Sequence, residues 1–145
     1  MQNVSATGMK LRVIAVPTFP AGFDITQFAD DADPISVESV EVNGHGNALN
    51  GDLVRWSKPS AILANVNVLP GTEEAKNLDI LLTMNRSTKG KLSVQDDVTL
   101  VQTLPNGTTR IFNNGCIVSG PPADGGSSEG RLNTREYGFV FENVI

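Results

Sequence analysis

The spacing of hydrophobic and polar residues is helical in one stretch of the chain, TEEAKNLDILLTMNR at residues 72–86. Its apolar residues form one face: Ala75, Leu78, Ile80, Leu81, Leu82 and Met84. Thr72 precedes them as a candidate N-cap, and Glu73 and Glu74 place negative charge at the positive end of the helix dipole. A helix this short is marginal on its own, so we expect the rest of the chain to cover its apolar face.

Most of the remaining chain alternates apolar and polar residues with the period of two that is typical of strands. The predicted strands are 10–16, 35–42, 53–57, 61–69, 98–104, 108–112, 116–119 and 135–145. The alternation changes phase within 35–42, which predicts a bulge near Glu38 and Ser39. In the last strand, Tyr137, Phe139 and Phe141 share one face.

Three long segments rich in glycine, proline and small polar residues are predicted as loops, 17–34, 43–50 and 120–134. Segment 17–34 carries Phe19, Phe23 and Phe28, for which two interpretations stay open. Either the loop folds back and places the rings in the core, or it is an arm that docks them on a neighbouring subunit.

These elements predict a mainly β fold, an antiparallel β-barrel or sandwich with one flanking helix and long loops. At 145 residues the chain is expected to form one domain, residues 1–145, with a flexible N-terminal end at 1–9.

Composition narrows the function classes further. The formal net charge of -5 argues against a surface built to grip nucleic acid. We expect no membrane insertion, since no apolar run approaches the ~18 residues of a membrane helix. The start lacks a basic segment followed by an apolar one, so synthesis and folding in a cytoplasm are expected.

Little in the sequence predicts chemistry. The single histidine, His45, lies in a glycine-rich stretch and is interpreted as an exposed turn residue, whereas the single cysteine, Cys116, is interpreted as a core residue. A metal site with nitrogen and sulfur ligands needs more such residues, and the acidic run at 30–33 lacks the glycine and distal glutamate of a calcium loop. We therefore predict no catalytic, metal or cofactor site, and a protein that is not an enzyme.

Several stretches, taken in order, resemble those of phage tail tube proteins, the ring-forming subunits inside contractile tails. The stretches are LNGDLVRW at 49–56, NVLPG at 67–71, the helix at 72–86, TLPNGT at 103–108, NGCIVSGPP at 114–122 and YGFVFEN at 137–143. Together they cover most of residues 35–145. Each motif alone is generic, and it is their order that carries the resemblance.

The resemblance implies a fold shared with type VI secretion tube proteins, six subunits per ring, and rings stacked into a tube whose lumen passes DNA. The implied partners are further copies of the chain, the tail sheath, the baseplate and the tape-measure protein, with transient, non-specific passage of DNA. The implied location is the virion tail, after assembly in the host cytoplasm.

Two sets of residues are predicted to serve such an assembly. The predicted lumen-facing side chains are Glu38, Glu41, Asn65 and Asn67. The residues predicted at subunit or ring interfaces are Phe19, Phe23, Phe28, His45, Asn47, Leu49, Pro121 and Pro122.

Two alternatives accompany this hypothesis. One is a tail-tip, adaptor or terminator ring, or a secretion tube, of the same fold. The other is a carbohydrate-binding β module or small hydrolase, which would show a pocket of convergent polar groups.

Overall fold

The structure is a computed structural model that describes residues 4–5 and 7–145. The described residues form nine strands and one helix. The strands and the helix are, in chain order, β1 (Lys10–Val16), β2 (Phe19–Ile25), β3 (Ile35–Val37), β4 (Asn43–Asn47), β5 (Leu53–Ser57), β6 (Ile62–Val68), α1 (Glu73–Asn85), β7 (Asp97–Thr103), β8 (Thr109–Ser119) and β9 (Arg135–Val144). The predicted loose end, 1–9, lies partly outside the described residues. At the end of that segment Met9 is buried, and its sulfur accepts a hydrogen bond from Gln102.

The strands form a seven-stranded antiparallel sheet in the order β2-β1-β7-β8-β9-β6-β3, and β4 and β5 pair separately as a hairpin. The predicted mainly β fold with one helix is confirmed. Among the described residues, no helix combines the length and apolar character needed to cross a membrane.

The large sheet curls until its two edges come close together. β2 ends at Ile25 on one edge, and Gln27 already accepts a backbone hydrogen bond from Leu69, just beyond the end of β6 near the other edge. Phe28 then forms an isolated bridge with Val68. Two residues of chain span roughly 7 Å at most, so the edges are joined by segment 26–34. The described part of the chain shows no ladder between β2 and β3, and the sheet is therefore an open curl and not a closed barrel.

The core lies on the inner face of this curl and under the helix. Alternate residues of β1, β6, β7 and β9 point inward, as the sequence pattern predicts. Leu78 and Leu81 of α1 are fully buried against them, together with Ala75. Each fully buried aliphatic side chain contributes about 1.5–3 kcal/mol, and this shared core is what holds the helix in place.

The helix begins as predicted. The Thr72 hydroxyl accepts a hydrogen bond from the Ala75 backbone N–H at 3.2 Å, and Glu73 and Glu74 occupy the first turn. The apolar face is narrower than predicted, because Ile80 and Met84 are exposed.

Segment 17–34 is not irregular throughout, because β2 forms within it and pairs with β1. β2 is an edge strand, where a proline such as Pro20 removes no ladder hydrogen bond that the sheet requires. An irregularity of the ladder falls at Gly22, whose φ is +76° and where a Cβ atom would lie 2.8 Å from the Val13 carbonyl oxygen.

β8 is one long strand where two short strands were predicted, and a bulge explains the difference. Val98 pairs with Gly115 and Leu100 with Phe112, so β8 carries one extra residue between these pairs. The extra residue reverses which positions face inward, and Gly115 and Ile117 point to the core. The interpretation of Cys116 as a core residue is therefore wrong, and its side chain is exposed.

A buried carboxylate joins three distant parts of the chain. Asp96 accepts hydrogen bonds from the Thr18 backbone N–H at 2.9 Å, the Thr18 hydroxyl at 2.6 Å and the Asn85 amide at 2.7 Å. The Asp96 N–H in turn donates to Asn85 Oδ1. These bonds fasten the turn between β1 and β2 and the end of α1 to the start of β7.

A buried cation fastens the long loop 120–134. The Arg135 guanidinium pairs with Asp124 at 2.5 Å and Asp79 at 3.0 Å, and it also donates to the Pro121 carbonyl. Its Nε donates to the Tyr137 hydroxyl at 2.8 Å. Burial raises the pKa of Tyr137, although the nearby guanidinium opposes the shift, so the phenol stays neutral and can still donate towards the Ala75 carbonyl.

Replacement of Asp96 by asparagine is expected to destabilise the fold by about 1–3 kcal/mol, because an amide group would face donors that now have a carboxylate oxygen to bind. Urea unfolding followed by circular dichroism measures the change. Asp97→Asn is the matched control, since Asp97 is exposed. Equal unfolding midpoints for the two variants would contradict the assignment of Asp96 as the central connection.

Replacement of Arg135 by methionine is expected to lower the free energy of unfolding by about 2 kcal/mol, less than for a fully buried pair because the two carboxylates are partly exposed. Hydrogen exchange should accelerate in loop 120–134. Arg131→Met, which breaks an exposed pair with Asp30, is the control and is expected to leave the free energy of unfolding nearly unchanged. Unchanged exchange in the loop of the Arg135 variant would refute the fastening role.

Candidate interaction surface

The hairpin of β4 and β5 stands apart from the core. Its strands pair in register from Asn43 opposite Ser57 to Asn47 opposite Leu53. Every residue of β5 is exposed, including Leu53 and Trp56 at 72% and 54% of their surface. Apolar side chains that the fold leaves in water make this hairpin the candidate interaction surface.

The two faces of the hairpin differ in chemistry. Val54 pairs with Gly46 and Trp56 pairs with Gly44. Because paired residues share a face, these four residues make up one face of the hairpin. The other face carries Leu53 and Arg55 from β5 and, from β4, the side chains of Asn43, His45 and Asn47. The first face is therefore apolar, and the second combines one apolar side chain with polar and cationic groups.

Glycines in β4 make room for the tryptophan. A Cβ atom on Gly44 would lie 2.2 Å from Trp56 Nε1, a distance that no side chain could tolerate. The indole therefore packs directly against Gly44, while about half of the Trp56 surface stays exposed. The predicted turn at 43–50 is wrong for its first five residues, which form β4, and there the glycines make room for cross-strand packing.

Polar contacts hold the base of the hairpin. Lys58 pairs with Glu41 at 2.5 Å, and this contact lowers the pKa of the Glu41 carboxyl below its ordinary value. The Lys58 N–H donates to the Val42 carbonyl, and the Ser60 hydroxyl donates to the Glu41 carbonyl. These groups are exposed, so the base contributes little stability compared with the core.

The structure separates the residues predicted to face a lumen. Strand β3 ends at Val37, so Glu38 and Glu41 lie in the extended link to the hairpin and not in a long bulged strand. Asn65 lies in β6 with its side chain on the outer face of the sheet, opposite the core. Asn67 is 7% exposed and its amide donates to the Asp33 carbonyl at 2.8 Å, so this side chain holds segment 26–34 and is not free to face DNA.

The predicted interface residues also separate. Phe19, Phe23 and Phe28 pack against the chain's own core, and the first two rings meet edge to face with centroids 5.0 Å apart. Of the two interpretations left open, the structure therefore supports the folded-back loop. His45, Asn47 and Leu49 are brought together on the hairpin and its turn, all exposed. Pro121 and Pro122 lie far along the chain at the start of loop 120–134, next to Arg135.

The predicted interface residues do not include Val54, Arg55 and Trp56 of this candidate surface, although these three lie within one of the stretches that carry the resemblance. The sequence does contain a pattern that indicates this surface: β5 is rich in apolar residues, whereas β4, the strand it pairs with, consists mainly of glycine and asparagine. Such a pairing provides no second layer of side chains to bury it.

The described residues contain no cluster of three or more histidine, cysteine, aspartate and glutamate side chains suited to a metal ion. His45 and Cys116 lie on different elements, in β4 and β8.

Similar folds occur in solved structures of other proteins. A chain in a solved structure of the anti-feeding prophage baseplate, 6-fold symmetrised, is similar with a TM-score of 0.58 and 12% sequence identity, covering 100% of this chain and 95% of that chain. A chain in the sheath/tube terminator of the PVC extracellular contractile injection system, in the extended state, is similar with a TM-score of 0.52 and 15% identity, covering 100% and 96%. At these identities the likeness is one of fold.

No curated protein sequence matches the chain significantly. The family described as tail fiber protein gp32, however, matches residues 2–145. The match extends over nearly the whole sequence and includes the curled sheet, the helix and the exposed hairpin. The chain therefore belongs to the tail fiber protein gp32 family.

Proposed function

We propose that the chain is a structural subunit of a contractile tail or tail-like particle that self-associates into rings through its β4–β5 hairpin. The observation that carries the proposal is this hairpin, whose apolar side chains find no cover in the monomer. Membership of the gp32 family supports a location in the tail. The exposed hairpin supports assembly with other subunits as the role of the chain there.

The hairpin has the composition of the centre of an interface. Tryptophan and arginine are enriched at such centres, and here Arg55 and Trp56 are adjacent in one exposed strand. Residues 38–61 contribute none of the buried hydrophobic residues of the described chain. The hairpin thus adds nothing to the core, and its burial by a partner explains why apolar residues occupy it.

A second copy of the chain is the proposed partner. The hairpin is a projection, and a projection that fits a different surface on the next copy gives a head-to-tail contact, which closes into a ring when the rotation permits. The two similar solved structures come from a baseplate and from a sheath/tube terminator. They support a ring at an end of the tube as the finer proposal, with the repeating tube subunit as the second candidate.

Passage of DNA and contacts with sheath and tape-measure proteins stay predictions from the resemblance. The net charge of -5 supports such passage, because DNA is retained mainly by cations. Asn65, on the outer face of the sheet, and the exposed Glu38 and Glu41 stay predictions for side chains that face a lumen.

The description of the family favours one further candidate, a part of a tail fibre. The curled single sheet with one flanking helix is unlike an elongated shaft, so any fibre role would be that of a compact attachment piece. A ring-forming subunit and a fibre part would form particles of different symmetry and shape, so imaging distinguishes between them.

Negative-stain imaging and sedimentation velocity over a concentration series test the proposal. Rings or short stacks are expected at high concentration. Particles that stay monomeric at every concentration would overturn self-assembly, and slender rods would favour the fibre candidate.

The double variant Val54→Ser, Trp56→Ser is expected to need a roughly tenfold or higher concentration to assemble, the equivalent of about 1.4 kcal/mol of lost contact energy. Ile80→Ser with Leu92→Ser is the matched control, because both residues are exposed apolar side chains outside the hairpin. Thermal melting checks that each variant remains folded. Identical concentration dependence for the two variants would remove the hairpin from the interface.

A further inference from the structure

A shallow groove of about 790 Å³ crosses one end of the sheet near the base of the hairpin. β9, β8 and β7 contribute to it side by side, since Phe141 pairs with Gly115 and Gly115 with Val98, and the segment 59–61 that leads into β6 lines its other side. Its apolar lining includes Pro59, Ala61 and Val140. The bulge in β8 lies in this row and bends the strand where the groove forms.

Two carboxylates, Asp97 and Glu142, flank this apolar lining. Both are exposed, and neither forms an ion pair within the described part of the chain. The groove therefore offers an apolar lining with uncompensated negative charge. A fitting ligand would carry an apolar group beside a cation.

The hairpin presents that combination. Leu53 and Arg55 lie on the same face of β5, two residues and so about 7 Å apart. Arg55 likewise forms no ion pair among the described residues. Its guanidinium is suited to bridging carboxylates, since it presents several donors in one plane.

We propose that the groove beside Asp97 and Glu142 receives the Leu53–Arg55 face of the hairpin from a second copy of this chain. This inference rests on the proposed self-assembly and specifies its contact. Leu53 packs on the apolar lining while Arg55 pairs with the two carboxylates. Because hairpin and groove are different surfaces of the same chain, each copy can give one contact and receive another, which produces a ring or a stack.

Reversal of charge tests the pairing. Arg55→Glu places like charges together, and we expect a roughly tenfold or greater rise in the concentration needed for assembly. Asp97→Arg with Glu142→Arg is expected to do the same. The triple variant that combines both changes should regain most of the lost assembly. Lys89→Glu, an exposed cation outside the hairpin, is the control and should assemble like the unchanged chain.

Cross-linking locates the contact, because Cys116 lies in the groove and is the one cysteine of the sequence. Copies carrying Leu53→Cys with Cys116→Ser are mixed with the unchanged chain and oxidised gently, and mass spectrometry of the disulfide-linked peptides identifies the pair. A link between position 53 and Cys116 is expected. Asn47→Cys and Leu49→Cys, each with Cys116→Ser, extend the search along the hairpin, and Lys89→Cys with Cys116→Ser is the negative control.

The outcomes separate this contact from self-assembly itself. Rings that form without charge rescue and without a hairpin link to Cys116 would overturn the contact and leave the proposed function standing, with another tail component as the occupant of the groove. Absence of assembly under all conditions would overturn both.

Discussion

The curl of the seven-stranded sheet is the constraint on which the rest of this structure depends. A flat sheet of this width would expose an inner face far too large for a helix of 13 residues, which is only about 20 Å long. Curling brings β1, β6 and β9 around the same core, so that Leu78 and Leu81 of the helix complete its cover. Twist inherent in strands favours such curling, and the bulge in β8 adds to it.

Two buried charged side chains hold the irregular segments of the chain in place, which the curl of the sheet does not do by itself. Asp96 anchors the β1–β2 turn and the end of the helix, whereas Arg135 anchors the long loop 120–134. Both groups lie where a strand meets irregular chain, and both satisfy several backbone or side-chain partners at once. Because loops carry few apolar residues of their own, such charge-assisted hydrogen bonds are the means available to order them.

The sequence predicted the elements whose burial follows a simple period. Helix α1 and strands β1, β6 and β9 were located within a residue or two, because one face of each is apolar and the other polar. β2 was missed because Pro20 and Gly22 are breakers by propensity, and only pairing with β1 explains their place in a strand. Cys116 was assigned to the wrong face because one extra residue in β8 reverses the alternation, which no local pattern reveals. The hairpin was half predicted: β5 was found, but the role of Gly44 depends on Trp56, a residue twelve positions away.

The absence of buried hydrophobic residues between 38 and 61 in the described chain has a consequence for how this family can diversify. The core draws on the segments before and after the hairpin, so the residues that stabilise the fold and those proposed to contact a partner lie in separate stretches of the sequence. Under the proposed assembly, substitutions in the hairpin would alter which neighbour it recognises while the scaffold keeps its stability. The hairpin sequence could then change quickly over evolutionary time, or be exchanged between relatives by design, as long as glycine is kept at position 44 beneath the indole.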